Sequence, residues 1–487
     1  MTTTAARAGT VQRTRVTEAA AARVVTGLAA TAFIVYWLTE SLRRWNDFET
    51  NAFDLAFFDQ IIWNTAHGRW FETTFVPYNF AGQHFEPVLL LFAGAYQLGA
   101  GPPFLTGTQV VVVGLAALLL FEAGRSFGLR PLLAATIAVA FLLSPYVHRA
   151  MQFDFHPESM TAAPAFASLW AVGAGRPRLA AGLALGALLF KEDAVFIVVA
   201  LGAVIAWRGH RRLGIGTAAA AVAWTAVLLA VLMPWWRDGA PGDLGERYAD
   251  VTGGNDGAAA AAWLVTHPVG VARATVQLEH LWTATLFVVT SALAMLAAPL
   301  TLLLLVPGLA LAVLSTHPPQ SALELHYAAE VAVVAAIGVV IGARRLSERA
   351  PSGVGAGVVT GIVAAVVLAP AVAGFLAMSP ASLLTTERGA RPTAEHRAAV
   401  LGALAIVPEG EAVAAQSGLA ARLSQREAVD EFPGRWESSS WVVVDAYGFR
   451  TTQSIGAGFD EALARVRAEW ERVYDRDGVE VFRRPGP

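Results

Sequence analysis

The feature that most constrains this chain is the recurrence of long apolar stretches separated by short polar ones. They run at roughly 24–38, 86–100, 104–121, 132–147, 160–175, 179–190, 193–207, 213–236, 283–297, 298–315, 327–343 and 353–377. A membrane-crossing helix needs about 20 predominantly apolar residues, so the pattern predicts a mainly α, polytopic membrane protein with about 10–12 transmembrane helices. Composition agrees. Hydrophobic residues make up 55% of the chain and charged residues only 15%, against about 25% charged in a soluble domain. Soluble globular and disordered classes are thereby excluded for most of its length. A formal net charge of −3 gives no footprint for nucleic acid. Cysteine is absent, which removes disulfides, thiolate catalysis and cysteine-ligated metals.

Charge sets the expected topology. Residues 1–23 are polar and carry Arg7, Arg13, Arg15 and Arg23. This segment reads as cytoplasmic, followed by an uncleaved first span. Short arginine-bearing loops follow at Arg125/Arg130, Arg176/Arg178, Arg208/Arg211/Arg212 and Arg344/Arg345/Arg349, and these also read as cytoplasmic. Acidic and aromatic loops at 41–85, 148–159, 237–282 and 316–326 then face outward. That parity requires one net crossing in 86–121, which is broken at Gly101-Pro102-Pro103. The membrane domain covers 24–378. From about residue 379 charged residues become dense, and 379–487 reads as a small extracytoplasmic α/β domain. Within it Trp441–Asp445 and Val479–Phe482 have strand character, and Phe459 to Tyr474 has apolar residues at helical spacing.

Five clusters carry possible chemistry. The first loop holds Asp47, Glu49, Asp54 and Asp59 among aromatic residues. Carboxylates there can ligate a divalent cation or act as a general base, or simply form the wet side of an interfacial helix. Next comes Gly82-Gln83-His84-Phe85-Glu86-Pro87. In the third cluster, Asp154-x-His156-x-Glu158 puts three ligand types within five residues. If extended they point one way and suit Mn²⁺ or Mg²⁺, the imidazole favouring Mn²⁺. Loop polarity and capping explain the same residues without an ion. Lys191, followed by Glu192 and Asp193, is the only lysine in the chain. A charge between apolar segments is costly and usually functional, and a compact ammonium suits a phosphate oxygen. A short-loop ion pair is the plainer account. Last, His326 and Tyr327 sit at a helix start where they can meet an anionic head group or serve as an aromatic belt. Glu122 and Glu330 read as interface or packing residues.

Together these landmarks resemble the GT-C superfamily of membrane glycosyltransferases. More closely, they resemble an uncharacterised bacterial membrane-protein family, a domain of unknown function, grouped with that superfamily. The resemblance rests on Phe53-Asp54-Leu-Ala-Phe-Phe-Asp59-Gln60, Gly82-Gln-His84-Phe-Glu86-Pro87, Phe155-His156-Pro157-Glu158, Phe190-Lys191-Glu192-Asp193 and Leu325-His326-Tyr327. The tail adds Val407 to Ser417 and Val442 to Asp445. It implies a GT-C-like bundle that transfers a sugar from a polyprenyl-phosphate donor to an envelope glycan, lipid or protein on the outer face of the plasma membrane. By the same resemblance Asp54 is the base, with Asp47 second choice and Asp59 and Glu86 supporting acids. His156 and Glu158, with Asp154, would hold a divalent cation. Lys191 and His326, with His84 and Tyr327, would hold the lipid phosphate. The acids at 54 and 59 lie five apart, so the Asp-x-Asp pattern of many GT-C members is missing. A transporter or flippase of a lipid-linked envelope precursor also explains charges between apolar segments, although no repeat symmetry is visible. An assembly protein working through its tail is a further alternative. Small-residue richness and arginine in place of lysine point to a GC-rich bacterial source.

Overall fold

The computed structural model describes residues 2–240, 243–254, 257–351, 353–385, 391–448 and 458–486. It is mainly helical, with a small sheet near the C-terminus. Among the described residues five helices are long and apolar enough to cross a membrane: Thr17–Asn46, Pro102–Ser126, Arg211–Trp236, Leu278–Ala297 and Ala356–Met378. A sixth span results if Pro131–Leu143 and Pro145–Gln152, bent by 44°, count as one. The sequence pattern predicts more full spans than these, because several apolar runs are cut short in space. Pro177–Leu189 stops at Lys191 and Thr301–Val313 is equally short. Ala329–Glu348 is buried along most of its length but carries charges at both ends. Proline does much of the punctuation. Pro102, Pro131, Pro145, Pro177 and Pro299 each open a helix, where the missing N–H costs nothing. In the stretch 86–121 only Pro102–Ser126 is long enough to cross, since Leu89–Tyr96 has eight residues.

The arginine-bearing turns gather at one end of the bundle. The Arg208 guanidinium lies 5.4 Å from the Phe127 ring centroid, and Arg344 lies 6.0 Å from that of Trp207. Arg349 donates to the Ala297 carbonyl. Gly128 (φ +84) and Gly209 (φ +99) reverse the chain there in a conformation that L side chains rarely adopt.

At the other end the first loop and the tail share one hydrophobic core. It contains Phe57, Phe58, Phe80 and Phe92 from the loop region, and Val400, Val443 and Val481 from the tail. The sheet has five strands, β1 (Val413–Ala415), β2 (Val429–Glu431), β3 (Trp441–Asp445), β4 (Glu471–Arg476) and β5 (Val479–Arg483), in the order β2-β1-β3-β5-β4. β1 pairs in parallel with β2 and β3, whereas β5 pairs antiparallel with β3 and β4. Alternation along the strands divides the side chains. Val413, Ala415, Trp441, Val443, Val479 and Val481 face the first loop. Ala414, Val442, Val444 and Phe482 face the helix Phe459–Glu469. That helix is shorter than its apolar spacing predicts. Trp470 turns extended (φ −110°, ψ 152°), and 471–476 become β4.

A continuous tail segment clasps the loop. The Arg422 guanidinium sits 3.7 Å from the Trp45 ring centroid. Ser417 Oγ accepts the Ala52 N–H at 3.0 Å, and Ser424 Oγ donates to Asp59 at 2.7 Å.

Candidate functional site

The site lies at the junction of that shared core with the helix bundle. Asp54 sits on a π-helical turn, Ala52–Ala56. The backbone just before it is fixed by two acceptors, Asp154 Oδ2 for the Asn51 N–H (2.6 Å) and Ser417 Oγ for the Ala52 N–H. Its carboxylate, 15% exposed, stands 3.4 Å from His156 Nε2. His156 is extended (φ −143°, ψ 108°) immediately before the 3₁₀ turn Pro157–Thr161. Gln109, buried in the helix Pro102–Ser126, accepts the His156 N–H at 2.6 Å and donates to the Ala150 and Asp154 carbonyls. One glutamine thus fixes the whole segment from the bundle side.

His156 stacks on His326, with ring centroids 3.6 Å apart and planes inclined by 12°. Phe153 stacks against both rings. His326 follows Leu325 (φ +52), and Leu323 (φ +55) lies two residues earlier. Leucine rarely adopts this left-handed region, and such strain persists where packing over-determines it. His326 Nε2 lies 3.6 Å from Glu158 Oε1. The same oxygen accepts from Lys191 Nζ at 3.1 Å, with Asp193 4.0 Å from the ammonium. Lys191 can be there because the chain breaks between Ala187–Leu189 and Glu192–Ala194, leaving it extended (φ −170°, ψ 158°). Glu192 reaches the other way. Its two oxygens meet His84 Nδ1 at 2.7 Å and the Phe85 N–H at 3.1 Å, which staples the His84–Glu86 segment against Lys191.

A narrow cavity of about 50 Å³ opens onto these groups, room for only a few waters. Its lining is mixed: Glu158, Lys191, Asp193, Gln320, His326 and Glu330 are polar or charged, and Phe196, Leu304, Leu305, Leu311 and Val334 are apolar. Arg247 closes the edge by donating to Gln320 Oε1 at 3.0 Å, with its guanidinium 5.6 Å from the Tyr327 ring centroid. Several buried polar atoms have no partner among the described residues. They include His156 Nδ1, His326 Nδ1, Glu158 Oε2, Glu86 Oε2 and Glu330 Oε1. His156, Glu158 and His326 present donor atoms all within 4.8 Å of one another.

A family model described as "Predicted membrane protein (DUF2079)" matches residues 44–481, which include every residue of this site. The chain belongs to the DUF2079 family. No curated protein matches it.

In this DUF2079 protein the residues singled out from sequence fall into two groups. Glu158, Lys191, His326 and Tyr327 line the cavity, Asp54 and His156 adjoin it through the His156–His326 stack, and Glu86 and His84 join beside Glu192. Asp47, Asp59 and Asp154 lie elsewhere. Asp47 bridges Arg43 (3.3 Å) and Arg397 (2.6 Å), joining the end of the first helix to the tail. Asp154 is held by Arg44 at 2.8 Å and by the Asn51 N–H, so its oxygens are engaged away from the His156–His326 stack. Asp59 is fully buried and accepts from Tyr96 (2.5 Å), Ser424 (2.7 Å) and Gln425 (3.3 Å). Burial pushes its carboxyl up to about 6, against the three donors.

Sequence reading missed Gln109, Arg247 and Gln320, and it assigned Glu330 to packing. A lone glutamine in the apolar run 104–121 was the available signal for the first. The others join the site only through tertiary contacts.

Proposed function

We propose that this protein transfers a sugar from a polyprenyl-phosphate donor to a cell-envelope acceptor, as the GT-C enzymes it resembles do. The observation that carries this reading is the mixed lining of the cavity, where Lys191 and the acids beside it adjoin apolar helix residues. At about 50 Å³ the cavity must widen before the ammonium can meet a phosphate head group and the apolar residues the lipid attached to it. Asp54, partly exposed beside His156, is the base. In the step, the acceptor oxygen bonds to the anomeric carbon and its proton passes to the Asp54 carboxylate. The bond from that carbon to the phosphate oxygen breaks, and the phosphate leaves with the electron pair, its charge met by Lys191. The bundle is read as a multi-pass unit of the plasma membrane. The arginine-bearing turns then face the cytoplasm by the positive-inside rule, and the site and tail face outward.

The test uses proteoliposomes, a polyprenyl-phosphate donor labelled in its sugar, and an envelope extract as acceptor. Label moving to the extract, and lost in Asp54→Asn, supports the reading. Full transfer by that variant rejects Asp54 as the base. Donor crossing the bilayer unchanged supports the flippase reading, which the buried charges of Glu158, Lys191 and Glu330 also accommodate.

A further inference from the structure

We infer that His156, Glu158 and His326 form a binding site for one divalent transition-metal cation. The inference rests on the geometry of these three residues and is independent of sugar transfer.

The distances are the first argument. The donor atoms of the three residues all lie within 4.8 Å of one another, and His326 Nε2 to Glu158 Oε1 is 3.6 Å. That distance exceeds the usual hydrogen-bond range of about 2.7–3.2 Å. Two donors each about 2.1 Å from a tetrahedral ion stand about 3.4 Å apart. The His326–Glu158 pair therefore has the spacing of neighbours in a coordination shell.

An orphaned atom is the second. His156 and Glu158 are 6% and 3% exposed, and the His326 side chain 10%. Oε2 of Glu158 has no partner among the described residues. Such groups are costly to bury and are normally satisfied. Lys191 takes one oxygen of Glu158, so the carboxylate keeps capacity for a cation.

Charge is the third. Glu86, Glu158, Glu192 and Asp193 surround one lysine. A doubly charged ion offsets that excess directly. Two imidazoles with a carboxylate favour Zn²⁺ or Mn²⁺ over Mg²⁺ or Ca²⁺. The two rings are stacked nearly parallel and their lone pairs lie in the ring planes. Binding thus requires one ring to tilt, from donor atoms already within 4.8 Å of one another.

The detergent-purified full chain would be stripped with chelator, reloaded separately with Zn²⁺ or Mn²⁺, desalted and assayed for bound metal. We expect about one ion per chain, and binding weakened at least about ten-fold in His156→Ala and His326→Ala. His84→Gln, in the same cluster but outside the donor set, should retain the ion. Pulsed EPR of the Mn²⁺-loaded wild type should show nitrogen couplings from imidazole, a readout that needs no variant to fold. A wild type that retains neither metal overturns the inference, as does undiminished binding in both histidine variants or a Mn²⁺ spectrum without nitrogen coupling. Metal retained without sugar transfer would leave this site standing and defeat the transfer reading; sugar transfer by a reloaded wild type that retains neither metal would do the reverse.

Discussion

Lys191 shows what one residue does in a buried charge cluster. It is 8% exposed, and its ammonium contacts Glu158 at 3.1 Å. Removing one member of a buried pair leaves the other charge uncompensated, at a cost of roughly 3–5 kcal/mol. Lys191→Met should therefore destabilise the detergent-purified protein strongly, and adding Glu158→Gln should recover part of the loss. Equal melting temperatures for wild type and Lys191→Met would mean that the pair is solvated. Asp59 titrates in the opposite sense from a salt-bridged acid. Its folded pKa, about 6, lies above the unfolded value, so the folded state holds the proton more tightly. Stability from this group is full below about 4 and falls as pH rises towards about 6. Thermal melts across that window should show the decline in wild type, and Asp59→Asn should flatten it. An unchanged slope in the variant would assign the titration to another group. These two residues also mark how far sequence reading reaches. A sole lysine between apolar runs is visible on inspection, and so are polar triplets such as Asp154-x-His156-x-Glu158. Which acid joins which neighbour is not, because the partners are distant. Asp59 meets Ser424 from the tail, and nothing local separates it from Asp54.

At the level of elements, small residues set how closely helices approach. A side chain built on Gly214 would place its Cβ 2.3 Å from the Gly202 carbonyl oxygen, and one on Gly202 would lie 2.7 Å from that of Gly214. The helices Val195–Trp207 and Arg211–Val227 thus pack backbone to backbone. Gly214→Val should separate them and lower the yield of monodisperse protein in detergent, whereas Gly216→Val, at a position with open space around it, should not. Equal yields would mean that the pair adapts. Element type was legible where the pattern was strong. Trp441–Asp445 is the strand its Val run predicts, and 479–483 is a strand too, paired between β3 and β4. The run from Phe459 was overextended because Val473 continues a helical spacing, although pairing of β4 with β5 decides its conformation. The apolar runs gave helices, but their length in space depended on breaks such as the one at Lys191.

For the whole molecule, the shared core makes a prediction about which parts stand alone. One face of the sheet, including Trp441, Val443, Val479 and Val481, belongs to the same cluster as Phe57, Phe58 and Phe80 of the first loop. The contact is close as well as apolar, since a Cβ on Gly418 would fall 2.1 Å from the Phe48 carbonyl oxygen. Loop and tail therefore lie on the same side of the membrane. Single cysteines at Trp70 and Tyr447, which are 57% and 74% exposed, should react together with an impermeant maleimide in intact cells, or both only after lysis. Labelling of one without the other would contradict the shared core. The tail is the stricter case. A fragment from residue 391 onward would expose the face that the loop covers, and contiguous apolar surface of that kind drives association. We expect the isolated fragment to bind a hydrophobic dye and aggregate, and to become soluble and protease-resistant when co-expressed with residues 1–390. A monomeric fragment melting cooperatively without the rest of the chain would show that the sheet is self-sufficient. The contact with the Asp54 turn would then be a docking interface between two finished domains, and its strength would have to be measured as binding.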